Sequence, residues 1–325
     1  MSLYSFCRPH CGCWYFWDAI CRPTFGGQLL PCFVRRDSFV VRDLLHCRRM
    51  ARQRLGQHFL ADLGWREQIA RAIRVSAQSL VPSAAAAVTP ICWIEIGAGH
   101  GEMTEHLAAT GASVHAIELD ASLARRLQHL TQQFPNVSVV AGDVLRANIA
   151  EIAGGRRVRV YGNLPYYITS PILHHLFTYA DLIDEMHIVI QEEVAERLTA
   201  QPGSKSYGYL SVATQLYARP ELVLRIPREA FNPPPEVGSA LVTLRFPGER
   251  AKLGQADESK FLDFVKLCFA QKRKTLVNNL RSMAAPGVAR TALEKLNLRP
   301  DARAEQLSSA LLAALHKELE SRPRS

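Results

Sequence analysis

No run in this 325-residue chain approaches the roughly 18 consecutive apolar residues of a membrane-spanning helix, so no such span is expected. Internal repeats are absent too, which sets repeat architectures aside. Past Met50 only two cysteines occur, Cys92 and Cys268. That is too few for a disulfide framework and fits a reducing cytoplasm. Six more (Cys7, Cys11, Cys13, Cys21, Cys32 and Cys47) crowd the first 49 residues. Of these, only Cys7 and Cys11 show zinc-type spacing, and no second pair matches them, so no metal site is expected. The same segment holds the cluster "CWYFW" but no lysine, and no unbroken apolar core of a secretory signal, because Asp18 and the cysteines interrupt its apolar region. Its arginines outnumber its acids, as in an organellar transit peptide, but the aromatic and cysteine load is foreign to one. The expectation is that residues 1–49 are an unstructured or non-native extension and that Met50 is the natural start.

What the chain does have is positive charge: 39 Lys+Arg against 30 Asp+Glu, a net +9. Such a balance favours polyanionic partners without specifying any chemistry. From residue 90 onward, "ICWIEIG", "ASVHAIEL", "VSVVAGD", "RVRVYGN" and "MHIVIQ" read as strands. Between and after them lie helical stretches such as "GEMTEHLAAT", "ASLARRLQHLTQQF", "SPILHHLFTYA" and "EEVAERLTA". This alternation predicts βαβ units and a doubly wound parallel sheet. Two later β-rich stretches, "ELVLRIP" and "SALVTLRF", would complete it. "PGERAKLGQADE" reads as a linker, and helical periodicity follows over "KFLDFVKLCFAQKRKTLVNNLRSM", 288–296 and 304–319. The expected division is therefore 50–248 as an α/β domain and 249–325 as a small all-helical one.

The first strand runs into "EIGAGHGEMTEHL", with Gly97, Gly99 and Gly101 ahead of a helix. Glycines let the backbone approach a ligand closely, and a helix start offers free N–H groups. Glu118 ends the second strand, 21 positions after Gly97, where a carboxylate can accept ribose hydroxyls. Asp143 ends the third, placed for an adenine edge. Dinucleotide-binding and methyl-donor folds share this pattern. The spacing here is G-x-G-x-G, not G-x-G-x-x-G, and S-adenosylmethionine, which has no pyrophosphate, suits it better than NAD.

The fourth strand ends in "NLPYY", residues 163–167. Asn and Pro are turn formers, so a plain turn is one explanation. With a methyl donor alongside, a pocket for a nucleobase is the better one. Adenine's exocyclic amine is a poor nucleophile because its lone pair is delocalised into the ring. The Asn163 amide oxygen and the Leu164 carbonyl can accept its two N–H bonds and localise that lone pair. Pro165 fixes φ and holds the carbonyl outward. Tyr166 can stack on an extruded base, an interaction worth about 1–3 kcal/mol.

"ARQRLGQHFL", "IEIGAGHGEMT", "AIELD", "GDVL", "YGNLPYYITSPIL", "SYGYLSV", "FNPPPEVGSALV" and "QKRKTLVNNL" occur in order over residues 51 to 320. Together they resemble the ribosomal RNA adenine dimethyltransferases, in particular those of the small subunit. The resemblance implies a Rossmann-like class I methyltransferase domain with a small helical C-terminal domain. It also implies S-adenosylmethionine as donor, and dimethylation at N6 of two adjacent adenosines near the 3′ end of 16S rRNA, four methyl transfers in all. Carried over residue by residue, it places the donor against His58, Leu60, Gly97, Gly99, Glu118, Asp143 and Asn163. The target adenine falls to Asn163, Leu164, Pro165 and Tyr166, with Phe231 as a second stacking face. One position departs from the family: His58 stands where Asn is usual.

Arg52, Arg54, Lys272, Arg273 and Lys274 are expected to meet rRNA phosphates, the last three at the opening of a helix. His174 and His175 read as packing or surface, and Glu192, Glu193 and Glu196 as an ordinary charged helix start. The rival readings are the related macrolide-resistance methyltransferases of large-subunit rRNA, a DNA adenine methyltransferase, and a ribosome-assembly factor that binds the immature small subunit. No dimerisation surface is legible, so a monomer is expected.

Overall fold

The computed structural model describes residues 58–78, 92–254 and 257–321. The expected extension 1–49, together with Arg52 and Arg54, lies outside the described residues. Among those described, no helix is long and apolar enough to cross a membrane.

The centre is a seven-stranded sheet. Its strands are β2 (Cys92–Ile96), β3 (Ser113–Glu118), β4 (Val137–Ala141), β5 (Val158–Asn163), β6 (Ile183–Gln191), β7 (Arg219–Ile226) and β9 (Ser239–Arg245). The order is β4-β3-β2-β5-β6-β9-β7. The run from β4 to β6 is parallel, and β9 is antiparallel to both its neighbours, β6 and β7. The expected strands and their parallel arrangement are thus present. A separate two-residue ladder joins β1 (Phe59–Leu60) to β8 (Phe231–Asn232).

The central strands are apolar on both faces because helices cover both sides. Ile94, Val160, Ile188 and Val242 face a cluster with Leu173 and Leu176 of the helix Thr169–Phe177. Trp93, Tyr161, Val189 and Leu241 face the other way, toward Ile69 and Ile73 of the helix Leu63–Gln78. That second face also carries a buried acid. Glu95 is fully enclosed and accepts a 2.6 Å hydrogen bond from Thr104 Oγ1. Burial, with some repulsion from Glu102 and Glu118, pushes its carboxyl up to about 8, against the bond from Thr104.

A pH dependence follows. Between the unfolded carboxyl value and about 8, the folded chain keeps a proton that the unfolded chain has released, so stability falls as pH rises through that window. Glu95→Gln mimics the neutral acid. It should flatten the decline, which is worth about 1.4 kcal/mol per pH unit at most. Thermal melts of both proteins at pH 5 to 9 check this. Parallel curves would contradict it.

The helical C-terminal part packs Phe261, Phe264, Leu276, Leu293 and Leu312 into one core. Tyr207, Val212 and Leu216, from "SYGYLSV" and its continuation, enter the same core. Val212 and Leu216 belong to a helix, Tyr209–Tyr217, and Tyr207 lies just ahead of it, all before the expected boundary. The long helix expected after residue 259 is broken. Glu258–Cys268 ends where Asn279 Nδ2 reaches back to Cys268 O at 2.6 Å, and Thr275 then caps Leu276–Asn279. Lys272, Arg273 and Lys274 therefore lie on the turn between two helices rather than opening one.

Candidate active site

The chain order of the sheet reverses between β2 and β5, and a crevice opens there at the carboxyl ends of the strands. It is a cavity of about 800 Å³, open mouth included. The strand-end residues Gly97, Gly99, Glu118, Asp143, Asn163 and Tyr166 all line it. Motifs tens of residues apart thus meet because each sits at the same end of a parallel strand.

The glycines divide into two kinds. All three have φ in the left-handed region, at +68°, +59° and +89° for Gly97, Gly99 and Gly101. A Cβ on Gly101 would come within 2.8 Å of Leu127 Cδ1, so this glycine serves helix packing. A Cβ on Gly97 would meet only Asn163 O, at 3.9 Å, and so would fill space beside the cavity wall. Gly101→Ala should accordingly lower stability by about 1–3 kcal/mol through overpacking and backbone strain. Chemical denaturation reads this directly, and an unchanged midpoint would refute it.

Glu118 is 2% exposed, yet lines the cavity. Its Oε2 accepts from Gly99 N at 2.8 Å and its Oε1 from Asp120 N at 2.9 Å, so one carboxylate ties the loops after β2 and β3 together. Asp143 accepts from Leu145 N at 2.9 Å, capping the short turn after β4. Leu119, 53% exposed, also lines the cavity beside Glu118. An apolar side chain left open next to two carboxylates suits the face of a flat heterocycle.

On the β5 side, Asn163 Nδ2 donates to His58 O at 2.8 Å. That bond settles the orientation of the amide. The Leu164 side chain is buried, and its N–H donates to Val189 O at 3.0 Å. Tyr166 lies in the short turn after Pro165, its hydroxyl 2.7 Å from Ser239 Oγ. Burial raises the phenol's pKa, against the hydrogen bond to Ser239, so it is neutral at ordinary pH. Tyr167, 58% exposed, completes the rim.

Two expected positions fall elsewhere. Leu60 and Phe231 are register partners across β1 and β8, and both side chains turn into the core beneath the sheet, at 4% and 3% exposure. Neither lines the cavity as placed here, so Phe231 offers no open stacking face. Strand alternation explains the exchange: Phe59, one residue before Leu60, is the side chain that reaches the cavity. Phe59, Leu119 and Ser239 went unnoticed as site residues in the sequence; only the "HFL" alternation hinted at Phe59.

Away from the cavity, Lys272, Arg273 and Lys274 are exposed, and Lys272 Nζ donates to Lys205 O, which draws a fourth basic residue into the group. His174 pairs with the Tyr209 hydroxyl at 2.8 Å, and His175 with Ala147 O at 3.1 Å, as packing residues do. Glu192 and Glu193 form ion pairs with Arg225 and Arg197.

A parallel run ending in a glycine loop, two strand-end acids and an Asn-Leu-Pro-Tyr turn defines a Rossmann-like methyltransferase. Comparison with known proteins narrows the class. The model of the ribosomal RNA adenine dimethylase family matches residues 48–321. A small-subunit rRNA methyltransferase A of Acidobacterium capsulatum is 44% identical over 231 residues, covering 70% of this chain and 81% of the relative. That of Koribacter versatilis is 37% identical over 279 residues, covering 82% and 93%. Among solved structures, a dimethyladenosine transferase from Plasmodium falciparum superposes with a TM-score of 0.66 at 23% identity, covering 81% of this chain and 98% of that one. The 23S rRNA methyltransferase ErmE gives 0.60 at 26% identity, covering 81% and 99%. The chain belongs to the ribosomal RNA adenine dimethylase family.

Proposed function

We propose that this chain is a small-subunit rRNA adenine dimethyltransferase, methylating N6 of two adjacent adenosines near the 3′ end of 16S rRNA. The observation that carries the reading is the amide of Asn163. With Nδ2 committed to His58 O, Oδ1 is the end left to accept a hydrogen bond from a substrate amine. The 37–44% identity to bacterial proteins named for the small subunit favours that subunit over the large one.

The residues suit S-adenosylmethionine: open space at Gly97, a buried carboxylate at Glu118, a second at Asp143 and the exposed Leu119. When bound, the donor supplies an electrophilic methyl on a sulfonium. Glu118 would accept the ribose hydroxyls, Asp143 the adenine edge, and Gly97 and Gly99 would allow close backbone approach. Asn163 Oδ1 and the Leu164 carbonyl then accept the two N–H bonds of the target amine and turn its lone pair outward. Tyr166, fixed through Ser239, offers its ring to the extruded base. No strong base is needed, because the methylated ammonium is acidic enough to lose its proton to water. Rate comes from positioning and hydrogen-bond polarisation. Lys205, Lys272, Arg273 and Lys274 would meet rRNA phosphates and set the salt dependence.

Radiolabelled donor, offered separately with small and large subunits lacking the relevant modification, tests the reading. Label is expected in small-subunit rRNA. Label only in the large subunit would move the function to the other branch of the family.

A further inference from the structure

Tyr166 and Tyr167 are consecutive, and the fold gives them opposite settings. They share one short helical turn, Tyr166–Ile168, and in a turn of this type successive side chains point about 120° apart. Tyr166 turns inward. Its hydroxyl lies 2.7 Å from Ser239 Oγ, and its ring stacks with that of His58, centroids 5.5 Å apart and planes 29° from parallel. Tyr167 turns outward at the rim of the same cavity and is exposed. We propose that Tyr167 stacks on the adenosine next to the one in the pocket, closing the gap that the extruded base leaves in the strand. The inference rests on the dimethyltransferase reading above.

The rim is apolar where a base would meet it. Among the described residues five large apolar side chains are left exposed, Leu63, Leu119, Leu130, Tyr167 and Val237, and Tyr167 is the only aromatic one. Three of the five gather at the carboxyl ends of the parallel strands. Leu119 and Tyr167 line the cavity. Val237 precedes Gly238, whose carbonyl accepts from Glu192 N just past the end of β6. No lysine or arginine lines the cavity among the described residues. Such a mouth offers flat apolar contact, which suits a base better than a phosphate.

Extrusion creates the need for such a contact. A base taken out of its stack leaves the next base in the strand with one face uncovered. An aromatic ring covers it whatever the sequence, because every base has a π-face, and inserted apolar side chains fill unstacked steps in the same way. The step lengths agree as well. Neighbouring nucleotides lie about 3.4 Å apart along a stacked strand, and neighbouring Cα atoms about 3.8 Å apart along the chain. A target base on Tyr166 therefore brings its neighbour within reach of Tyr167.

The test uses the full chain with Tyr167→Ala and Tyr167→Phe. Small subunits are reconstituted with unaltered 16S rRNA, or with one or the other of the two adenosines replaced by an abasic nucleotide. Single-turnover transfer is followed against subunit concentration, and calorimetry with S-adenosylhomocysteine reads folding and the donor site. On unaltered subunits, Tyr167→Ala should need about tenfold more subunit for half-maximal transfer, within what one base–aromatic stack contributes. Tyr167→Phe, which keeps the ring, should recover most of that loss. Affinity for S-adenosylhomocysteine should stay within about threefold in both variants. On at least one of the abasic subunits the wild-type protein should itself weaken about tenfold, and Tyr167→Ala should cost nothing further there.

Equal losses from Tyr167→Ala on unaltered and on both abasic subunits would overturn the proposal, because the ring would then serve something other than the neighbouring base. So would an Ala variant that transfers like wild type, or a Phe variant as weak as Ala. A tenfold loss of S-adenosylhomocysteine affinity would assign Tyr167 to the donor site instead. Absence of transfer by the wild-type protein on unaltered subunits would sink the functional reading itself, and this proposal with it.

Discussion

Asn163→Ala should leave the protein folded and still able to bind S-adenosylhomocysteine, yet slow methyl transfer by about a thousandfold. Removing one preorganised hydrogen-bonding group that acts on a developing charge costs about a hundred- to a thousandfold elsewhere, and here the same group also aims the nucleophile. The substitution removes the acceptor Oδ1 while the backbone of β5 stays paired on both sides, with β2 and β6. Asn163→Asp is the informative companion. It restores an acceptor but loses the N–H that now donates to His58 O, setting a carboxylate oxygen against a carbonyl. Its activity should lie between wild type and Ala. Rapid-quench measurement of the first methyl transfer reads both. An Ala variant within tenfold of wild type would show that the amine is activated by something else.

The second large effect falls on donor affinity. Glu118→Ala removes the acceptor of Gly99 N–H and Asp120 N–H at once, so the loops after β2 and β3 lose their shared tie along with the ribose acceptor. Hydrogen bonds to a charged group contribute about 1.5–3 kcal/mol each, so donor affinity should fall by at least two orders of magnitude. Glu118→Gln keeps one acceptor oxygen and should lose about tenfold. Calorimetric titration with S-adenosylhomocysteine gives both numbers. Unchanged affinity in the Ala variant would place the donor elsewhere in the cavity.

The parallel run was readable because its signals are local: short apolar stretches between glycine or acidic strand ends, separated by helices of the right length. The same regularity made much of the site visible. Gly97, Glu118, Asp143 and Asn163 occupy equivalent strand ends, and a parallel sheet must bring equivalent ends together. The inward turn of the Leu60 and Phe231 side chains was not legible, because a two-residue strand is too short for alternation to show which side chain faces inward. The break in the helix after Cys268 could not be seen either, because it depends on Asn279 reaching back to carbonyls that periodicity alone leaves inside a helix. The stacking of His58 on Tyr166 joins the first described residue to a turn far along the chain, and no local pattern announces such a contact. Leu63–Gln78 did carry a legible signal, Trp65, Ile69 and Ile73 at helical spacing.

The most direct test of the account is primer extension through the 3′-terminal region of 16S rRNA. Small subunits lacking the modification would be incubated with the protein and S-adenosylmethionine. A dimethylated N6 cannot form its normal base pair and halts reverse transcriptase. Paired stops at two adjacent adenosines, absent with Asn163→Ala, are the predicted result. Tight subunit binding and an occupied donor site with no stop at either adenosine would contradict it, and would make the protein an assembly factor that has kept its family's pocket without using it.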